Sequence, residues 1–339
     1  MYLFLSILSF FVITLLLNKL STPLKLIDYP DSRKLHKGKI PLIGGLIIYL
    51  NVIFFSFNYE LSYYFSIILY TSSILLILGS LDDAIGLGVN FRLIAQLSSC
   101  LIITGSGLVI ENIGDYMFLP KIDIGLLSIA FTVFCVIGLT NSFNFIDGID
   151  GLCGTQILVS IFSILIFSYF LGTYNSIYDK EIISIIIISI ICFLFLNLSN
   201  SYKIFLGDAG SITLGFFVSW LLILSTQFEN AIIHPVLALW CVSLPVLDII
   251  SVVIRRIVRK INPFKPDRRH IHHLLIETGL NPKIVLSLIL LISIIINSFG
   301  FLIFYFFGPM PALLNFFILI IVYLFSIVLI NRKILNQNF

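Results

Sequence analysis

An all-α integral membrane fold of about eleven transmembrane helices is what this sequence predicts, and three observations carry the prediction. Hydrophobic residues make up 59% of the 339 positions, and the mean hydropathy is +1.11. Charged residues reach only 11%, against roughly 25% in an ordinary soluble domain, so the chain cannot cover a water-facing surface. The apolar residues also fall in runs near the length of about 20 that crosses a bilayer, with no strand-like alternation among them. A soluble enzyme, a DNA-binding domain and a disordered chain are excluded together. The net charge of +3 is too small to point to nucleic acid.

Each span is bounded by polar or glycine punctuation. The first, 2–18, has no basic residue before its apolar core and no small-residue cleavage site, while Lys19 follows it. It therefore reads as an uncleaved first helix rather than a signal peptide. Spans 42–57 and 61–80 are parted by Asn58 and Glu60; span 93–110 runs from Arg92 to Glu111. Span 124–140 lies between Asp123 and Asn141, and span 152–171 between Gly151 and Gly172. Span 182–198 follows Glu181, span 211–228 follows Gly210, and span 231–254 stops at Arg255. The last two, 284–307 and 311–330, begin after Lys283 and end before Arg332 and Lys333. The longest connections are 19–41 and 255–283, and no soluble domain fits between spans. The chain reads as a single polytopic domain over 1–339.

Eleven spans sort the loops into two sets. Of the 20 Lys and Arg residues, only Lys121 and Lys180 fall in one set; the remaining 18 share the other. Cytoplasmic loops carry the Lys/Arg excess, so the N-terminus is expected outside and the C-terminus in the cytoplasm. The five cysteines show no C-x-x-C spacing and read as small buried apolar residues.

The same loops (19–41, 81–92, 141–151, 199–210 and 255–283) hold the unusual polar residues. Asp82 and Asp83 follow the third span, Asn141, Asn144, Asp147 and Asp150 the fifth, and Asp208 the seventh. Asp147 and Asp150 are flanked by Phe145, Ile146, Ile149 and Leu152, where an unpaired carboxylate is costly to desolvate. A hard divalent cation with oxygen ligands would offset that cost, and Mg²⁺ usually takes one or two carboxylates plus substrate phosphates. Asn141, Asn144, Asp147 and Asp150 recur every third residue and can follow one ridge of a helix end. Gly148 and Gly151 would let a backbone or a phosphate approach closely. Gly207 and Gly210 bracket Asp208 where the eighth span begins, and a helix N-terminus is a ready phosphate site beside a metal-holding carboxylate.

His270, His272 and His273 lie in a strongly basic loop with Arg268 and Arg269. Zinc would require Cys/His partners at structural spacing, which are missing from the sequence, so phosphate or sugar contacts suit these residues better. His234 reads as an interfacial histidine. Asp248 is the only charged residue inside a predicted span; a functional role and a structural pairing with a neighbouring polar group are both open.

Taken in order, these motifs resemble the polyprenyl-phosphate N-acetylhexosamine-1-phosphate transferases, the WecA/MraY superfamily. Arg33-Lys34-Leu35-His36 with Pro41 and Gly44-Gly45, the Asp82-Asp83 pair, the Asn-x-x-Asp-Gly-x-Asp-Gly-Leu run over 144–152, the Phe-Leu-Gly-Asp-Ala-Gly-Ser run over 205–211 and His270-Ile-His-His273 all match the family pattern. The matches cover nearly the whole chain. Two features depart from the pattern: the early segment reads Pro-Leu-Ile-Gly-Gly, and only Asn197 and Asn200 stand near the place of an asparagine that the family carries before the metal aspartate.

The resemblance implies a multi-helix enzyme of the bacterial inner membrane with a cytoplasmic site. Such an enzyme moves a sugar 1-phosphate from a UDP-sugar to undecaprenyl phosphate and releases UMP. It implies Mg²⁺ as cofactor, with Mn²⁺ able to substitute, held by Asp208 and Asp147. It implies catalytic roles for Asp82, Asp83, Asp147 and Asp150. Substrate contacts would come from Arg33, Lys34, His36, Asn141, Asn144, Arg268, Arg269, His270, His272 and His273. The His-x-His-His form is similar to the WecA/TagO branch, hence a UDP-N-acetylglucosamine-type donor; another UDP-HexNAc or the muramoyl-pentapeptide donor of peptidoglycan synthesis is the alternative. Membrane lipids are expected around the protein, nucleic acid is not, and a homodimer is left open. An ion-coupled transporter is the rival class, but its site would lie at mid-bilayer on broken helices within repeats, whereas these carboxylates sit at span ends and no repeat is seen.

Overall fold

The computed structural model describes residues 2–30, 38–117, 121–177, 179–228, 231–258, 260 and 270–337. Among the described residues the fold is mainly helical, as composition predicts, with a ladder of two residues per strand between β1 (Ile27–Asp28) and β2 (Ile40–Pro41) and two isolated bridges. Among the described residues eight helices are long and apolar enough to cross a membrane, or nine if a bent pair counts as one span. Two predicted spans appear instead as shorter apolar helices, α2 (Gly44–Ser56) and α4 (Val89–Gly105). Large apolar side chains such as Phe4, Leu15, Phe134, Phe306 and Ile321 lie exposed along these helices. So extensive an apolar exterior suits lipid, not water.

The chain divides into two compact units. The first comprises residues 1–109, 129–144 and 176–224. Here α1 (Tyr2–Leu20), α2 and α7 (Lys180–Asn197) pack together, and α3 (Tyr63–Ile85) packs on α4. Asn51 of α2 donates to the Ser6 carbonyl and hydroxyl at 3.2 and 3.0 Å and to Ser189 Oγ at 2.8 Å, joining those three helices through a satisfied polar centre. The helix α8 (Gly207–Thr226) is apolar on every side and buried along its span, as a helix without a polar face must be. Its start is fixed by the early glycine segment. Gly44 and Gly45 donate their N–H groups to Phe205 and Leu206 carbonyls at 2.9 Å, and Phe205 donates back to Pro41 at 2.8 Å.

The second unit comprises residues 110–128, 145–175 and 225–339. It contains α6 (Leu152–Phe170), α9 (Pro235–Cys241), α10 (Ser243–Val258), α11 (Ile271–Glu277), α12 (Pro282–Phe307) and α13 (Pro309–Gln337). The span expected as one helix over 231–254 is broken between α9 and α10 by an 80° bend. Pro245 is the cause: it has no N–H to offer the carbonyl of Cys241, four residues earlier. Asn297 of α12 takes over, donating to the Cys241 carbonyl at 3.2 Å and to Ser163 Oγ at 2.9 Å while accepting from Ser243 Oγ at 2.7 Å. A bilayer tolerates a helix break only where the freed groups are satisfied in this way. Replacing Asn297 by Leu should therefore lower stability by on the order of 1–3 kcal/mol, read as a fall in thermal midpoint of the detergent-solubilised protein.

Candidate active site

Four elements of the first unit bring the acidic motifs together. Helix α3 ends in a left-handed glycine cap at Gly86, whose N–H bonds the Asp82 carbonyl, and this places Asp82 and Asp83 in its last turn. Asp83 reaches the start of α8 and accepts the N–H groups of Asp208 and Ala209 at 2.9 and 3.1 Å. Gly207 makes that contact feasible: its φ is +74°, and a Cβ there would meet Asp83 Oδ2 at 2.5 Å. The α8 N-terminus read from sequence as a phosphate cradle thus has those two donors occupied by a carboxylate of the same protein.

Asp208 projects from that capped start. Its Oδ1 accepts from Asn144 Nδ2 at 2.8 Å, and its Oδ2 from Arg92 Nη1 at 2.9 Å. Asn144 also donates to Ser211 Oγ at 2.9 Å. Arg92, in the first turn of α4, sets its Nε 2.9 Å from Asp82 Oδ2, so one guanidinium spans two carboxylates. One turn further along α4, Gln96 accepts from Asn141 Nδ2 at 2.7 Å. Sequence reading placed Asp82, Asp83, Asn141, Asn144 and Asp208 in the site, and the structure gathers all five. It missed Arg92 and Gln96, whose signal was their i, i+4 spacing at a helix start beside the Asp pair. A small surface hollow lies against Arg92 and Gln96, lined otherwise by apolar residues including Leu75, Leu78, Phe91 and Ile212.

Arg92 pairs with Asp82 and Asp208 while Asp83 caps α8, so carboxyl groups outnumber the one guanidinium and leave room for a further cation. Among the described residues no three Asp, Glu, His or Cys side chains close around an ion by themselves. Magnesium does not require that, since it binds through one or two carboxylates and keeps water or phosphate in its other positions. The donors present are hard oxygens, and buried Asp82 Oδ2 lacks an aligned hydrogen-bond donor despite its nearness to Arg92. This donor set fits Mg²⁺.

The remaining motif residues belong to the second unit. Helix α5 (Ser128–Ile146) stops before Asp147, so the expected ridge through Asn141, Asn144, Asp147 and Asp150 is interrupted after Asn144. Asp147 and Asp150 instead sit, half-buried, in the turn 147–151 that leads into α6. What approaches Gly148 is the His272 ring: a Cβ at that position would meet Nε2 at 2.1 Å. His270, His272 and His273 form a row at the start of α11, with ring centres 6.1 and 4.1 Å apart. His272 is fully buried, neither ring nitrogen has a hydrogen-bond partner among the described residues, and burial pushes its pKa down to about 3. Its ring lies against the turn at Gly148. Arg33, Lys34, His36, Arg268 and Arg269 lie outside the described residues.

The buried neutral His272 has a consequence for stability. A group whose folded pKa lies below its unfolded value of 6.5 favours the fold above that value, and the contribution is lost as pH falls towards 3. Lowering the pH from 7 to 5 should reduce the thermal midpoint, and His272→Leu should flatten that dependence; an unchanged slope in the variant would contradict the assignment.

Asn197 donates to the Ile204 carbonyl at 2.8 Å and so closes the loop ahead of α8 rather than facing Asp208. His234 caps α9, accepting from Val236 N at 3.1 Å. Among the described residues all five cysteines are free; four are buried and Cys135 is partly so.

Apolar helices with carboxylates, amides and one guanidinium clustered at their ends mark the first unit as the candidate active site of a membrane enzyme. A family model for glycosyl transferase family 4 matches residues 65–226. The chain is 34% identical over 293 residues to the undecaprenyl-phosphate alpha-N-acetylglucosaminyl 1-phosphate transferase of Escherichia coli (strain K12), covering 84% of this chain and 78% of that protein. It is 32% identical over 331 residues to the protein of that name from Haemophilus influenzae, covering 96% and 92%, and 32% identical over 305 residues to that from Yersinia pestis, covering 88% and 82%. The chain belongs to glycosyl transferase family 4, and it is a multi-pass membrane enzyme.

Proposed function

We propose that this protein transfers N-acetylglucosamine 1-phosphate from UDP-N-acetylglucosamine to undecaprenyl phosphate and releases UMP. The observation that carries the reading is the similarity to transferases so named along nearly the whole chain, coupled with an acidic cluster built from the matching motifs. The product would be the first lipid-linked sugar of a cell-envelope polysaccharide. The setting would be a bacterial inner membrane, crossed eleven times by the eight long helices, the bent pair and the two shorter ones, with loops 19–41, 81–92, 141–151, 199–210 and 255–283 serving one reaction on the cytoplasmic side.

The obstacle is the repulsion of two polyanions. Bound Mg²⁺, or Mn²⁺ in its place, would supply neutralisation of pyrophosphate charge, held by Asp208; Asp147 is the further ligand that the family resemblance implies. Undecaprenyl phosphate has a second pKa near 6 and is largely dianionic at pH 7, so its attack needs little base assistance. An acceptor oxygen attacks the β-phosphorus in line, a new P–O bond forms, and the bond to the bridging oxygen breaks as UMP leaves. Arg92 suits the acceptor phosphate, and exposed Phe91 beside it offers apolar surface to the isoprenoid chain. Asp82 positions the acceptor, and Asp83 holds the α8 start. Asn141, Asn144 and Asp150 serve the nucleotide and the catalytic centre. Arg33, Lys34, His36, Arg268, Arg269, His270 and His273 contact the donor, and His272 shapes the turn over 147–151.

Purified protein given undecaprenyl phosphate, Mg²⁺ and a panel of UDP-sugars tests the donor assignment. The fastest UMP release is expected with UDP-N-acetylglucosamine; preference for UDP-N-acetylgalactosamine or the muramoyl-pentapeptide donor would overturn it. A phospho-sugar trapped on the protein without acceptor lipid would replace the single displacement with an aspartyl-phosphate route.

A further inference from the structure

Asp248 is a carboxylate on a membrane-embedded helix, 1% exposed, which is costly unless donors satisfy it. Three do. His270 Nδ1 lies 2.6 Å from Oδ2, the Ile271 backbone N–H lies 3.0 Å from Oδ1, and the Tyr323 hydroxyl lies 3.2 Å from Oδ1. Two of these donors begin α11 and the third comes from α13, so the carboxylate ties three helices of the second unit.

The contact with His270 also decides the state of the ring. An ionised carboxylate only accepts, so the nitrogen facing it must carry the hydrogen. Nε2 is thereby left as the nitrogen available to a ligand, and no partner for it is found among the described residues. The ring is held between Phe145, 5.6 Å away, and His272, 6.1 Å away and nearly parallel. A buried acid thus fixes both the tautomer and the direction of the first histidine in the row.

We infer that Asp248 is a positioning residue for donor binding: it locks His270 as the Nδ1–H tautomer so that Nε2 meets the sugar nucleotide. The inference rests on the transferase reading and adds to it the device that aims one donor contact. Asp248 itself touches no substrate in this scheme and acts only through His270, which separates it from a staple that merely holds α11 in place.

The variant Asp248→Asn in the full-length protein in nanodiscs tests this. Its carbonyl oxygen can still accept from Ile271, but its amide faces His270 as a donor and forces the hydrogen onto Nε2, the same logic by which an amide in place of a triad aspartate selects the wrong histidine tautomer. The expected result is a KM for UDP-N-acetylglucosamine raised about tenfold or more, with the thermal midpoint close to that of the parent. In a His270→Ala background the same substitution should add nothing, because a residue acting through His270 has nothing left to act on. Tyr323→Phe leaves the His270 contact in place and should leave KM unchanged. An unchanged KM in Asp248→Asn, effects that multiply with those of His270→Ala, or an equal KM rise in Tyr323→Phe would each overturn the positioning role. Nitrogen-15 shifts of the His270 ring give a readout independent of turnover: Nδ1–H in the parent and Nε2–H in Asp248→Asn are expected, and the same tautomer in both refutes the inference. A parent protein that releases no UMP while showing that tautomer switch would refute the transferase reading and leave the positioning contact standing.

Discussion

Asp208→Asn should abolish transfer at every Mg²⁺ concentration while the protein stays folded. Both carboxylate oxygens are committed, one to Asn144 and the other to Arg92, and both partners are donors. An amide can accept at one of those positions only, and it removes the negative charge on which a divalent cation and the guanidinium both depend. Removing a single preorganised electrostatic group from an active site typically costs about 10²–10³-fold in turnover, and loss of a metal-holding charge belongs at or beyond the upper end of that range. The side chain is about a third exposed, so its pairing with Arg92 contributes little to folding. Activity and stability should therefore separate: UMP release falls below detection across a magnesium titration, while the thermal midpoint and the elution volume remain those of the parent. Near-normal turnover would remove Asp208 from the metal site.

Gly207→Ala should damage activity and stability together. Gly207 has φ +74°, a conformation that costs an L-residue roughly 1–2 kcal/mol, and the added methyl would lie 2.5 Å from Asp83 Oδ2. Asp83 would have to withdraw, leaving the Asp208 and Ala209 N–H groups without their acceptor at about 1–3 kcal/mol. The start of α8 would shift, and Asp208 with it. A fall in thermal midpoint accompanied by a fall of about 10²-fold or more in UMP release is expected. A variant with parental stability and parental rate would show that the Asp83 cap does not set the site.

The contrast between these two substitutions shows which parts of the molecule were legible in the sequence. Apolar runs and their polar punctuation located the long helices, because lipid imposes both a length and a composition on a spanning helix, but not the short α11, which lies in the segment 255–283 read as a loop. They could not show that the run over 231–254 breaks, since a proline early in a helix is tolerated and its consequence depended on Asn297, more than fifty residues later. The motif carboxylates stood out because charge is scarce in this chain. Their division of labour did not. Asp82 and Asp83 are neighbours in sequence, yet one faces Arg92 and the other caps α8, a difference created by the turn of a helix and by where α8 begins. Arg92 and Gln96 were hidden at the head of an apolar segment, and their meaning came only from partners delivered by α5 and α8. Asp248 left two readings open in the sequence; its contacts with His270, Ile271 and Tyr323 explain how a membrane helix accommodates it. His272 looked like one of three equivalent histidines; it and His270 are both buried, but only His270 has a carboxylate partner, and burial pushes the pKa of His272 down.

Chemistry at the acidic cluster is tested most directly by incubating purified protein with undecaprenyl phosphate and UDP-N-acetylglucosamine, with Mg²⁺ or with a chelator, and measuring UMP and the lipid product in the same reaction. Equimolar UMP and lipid-linked N-acetylglucosamine pyrophosphate, formed with Mg²⁺ and lost with the chelator, is the predicted result. No UMP under any of these conditions, with uptake of solute into sealed vesicles instead, would contradict it.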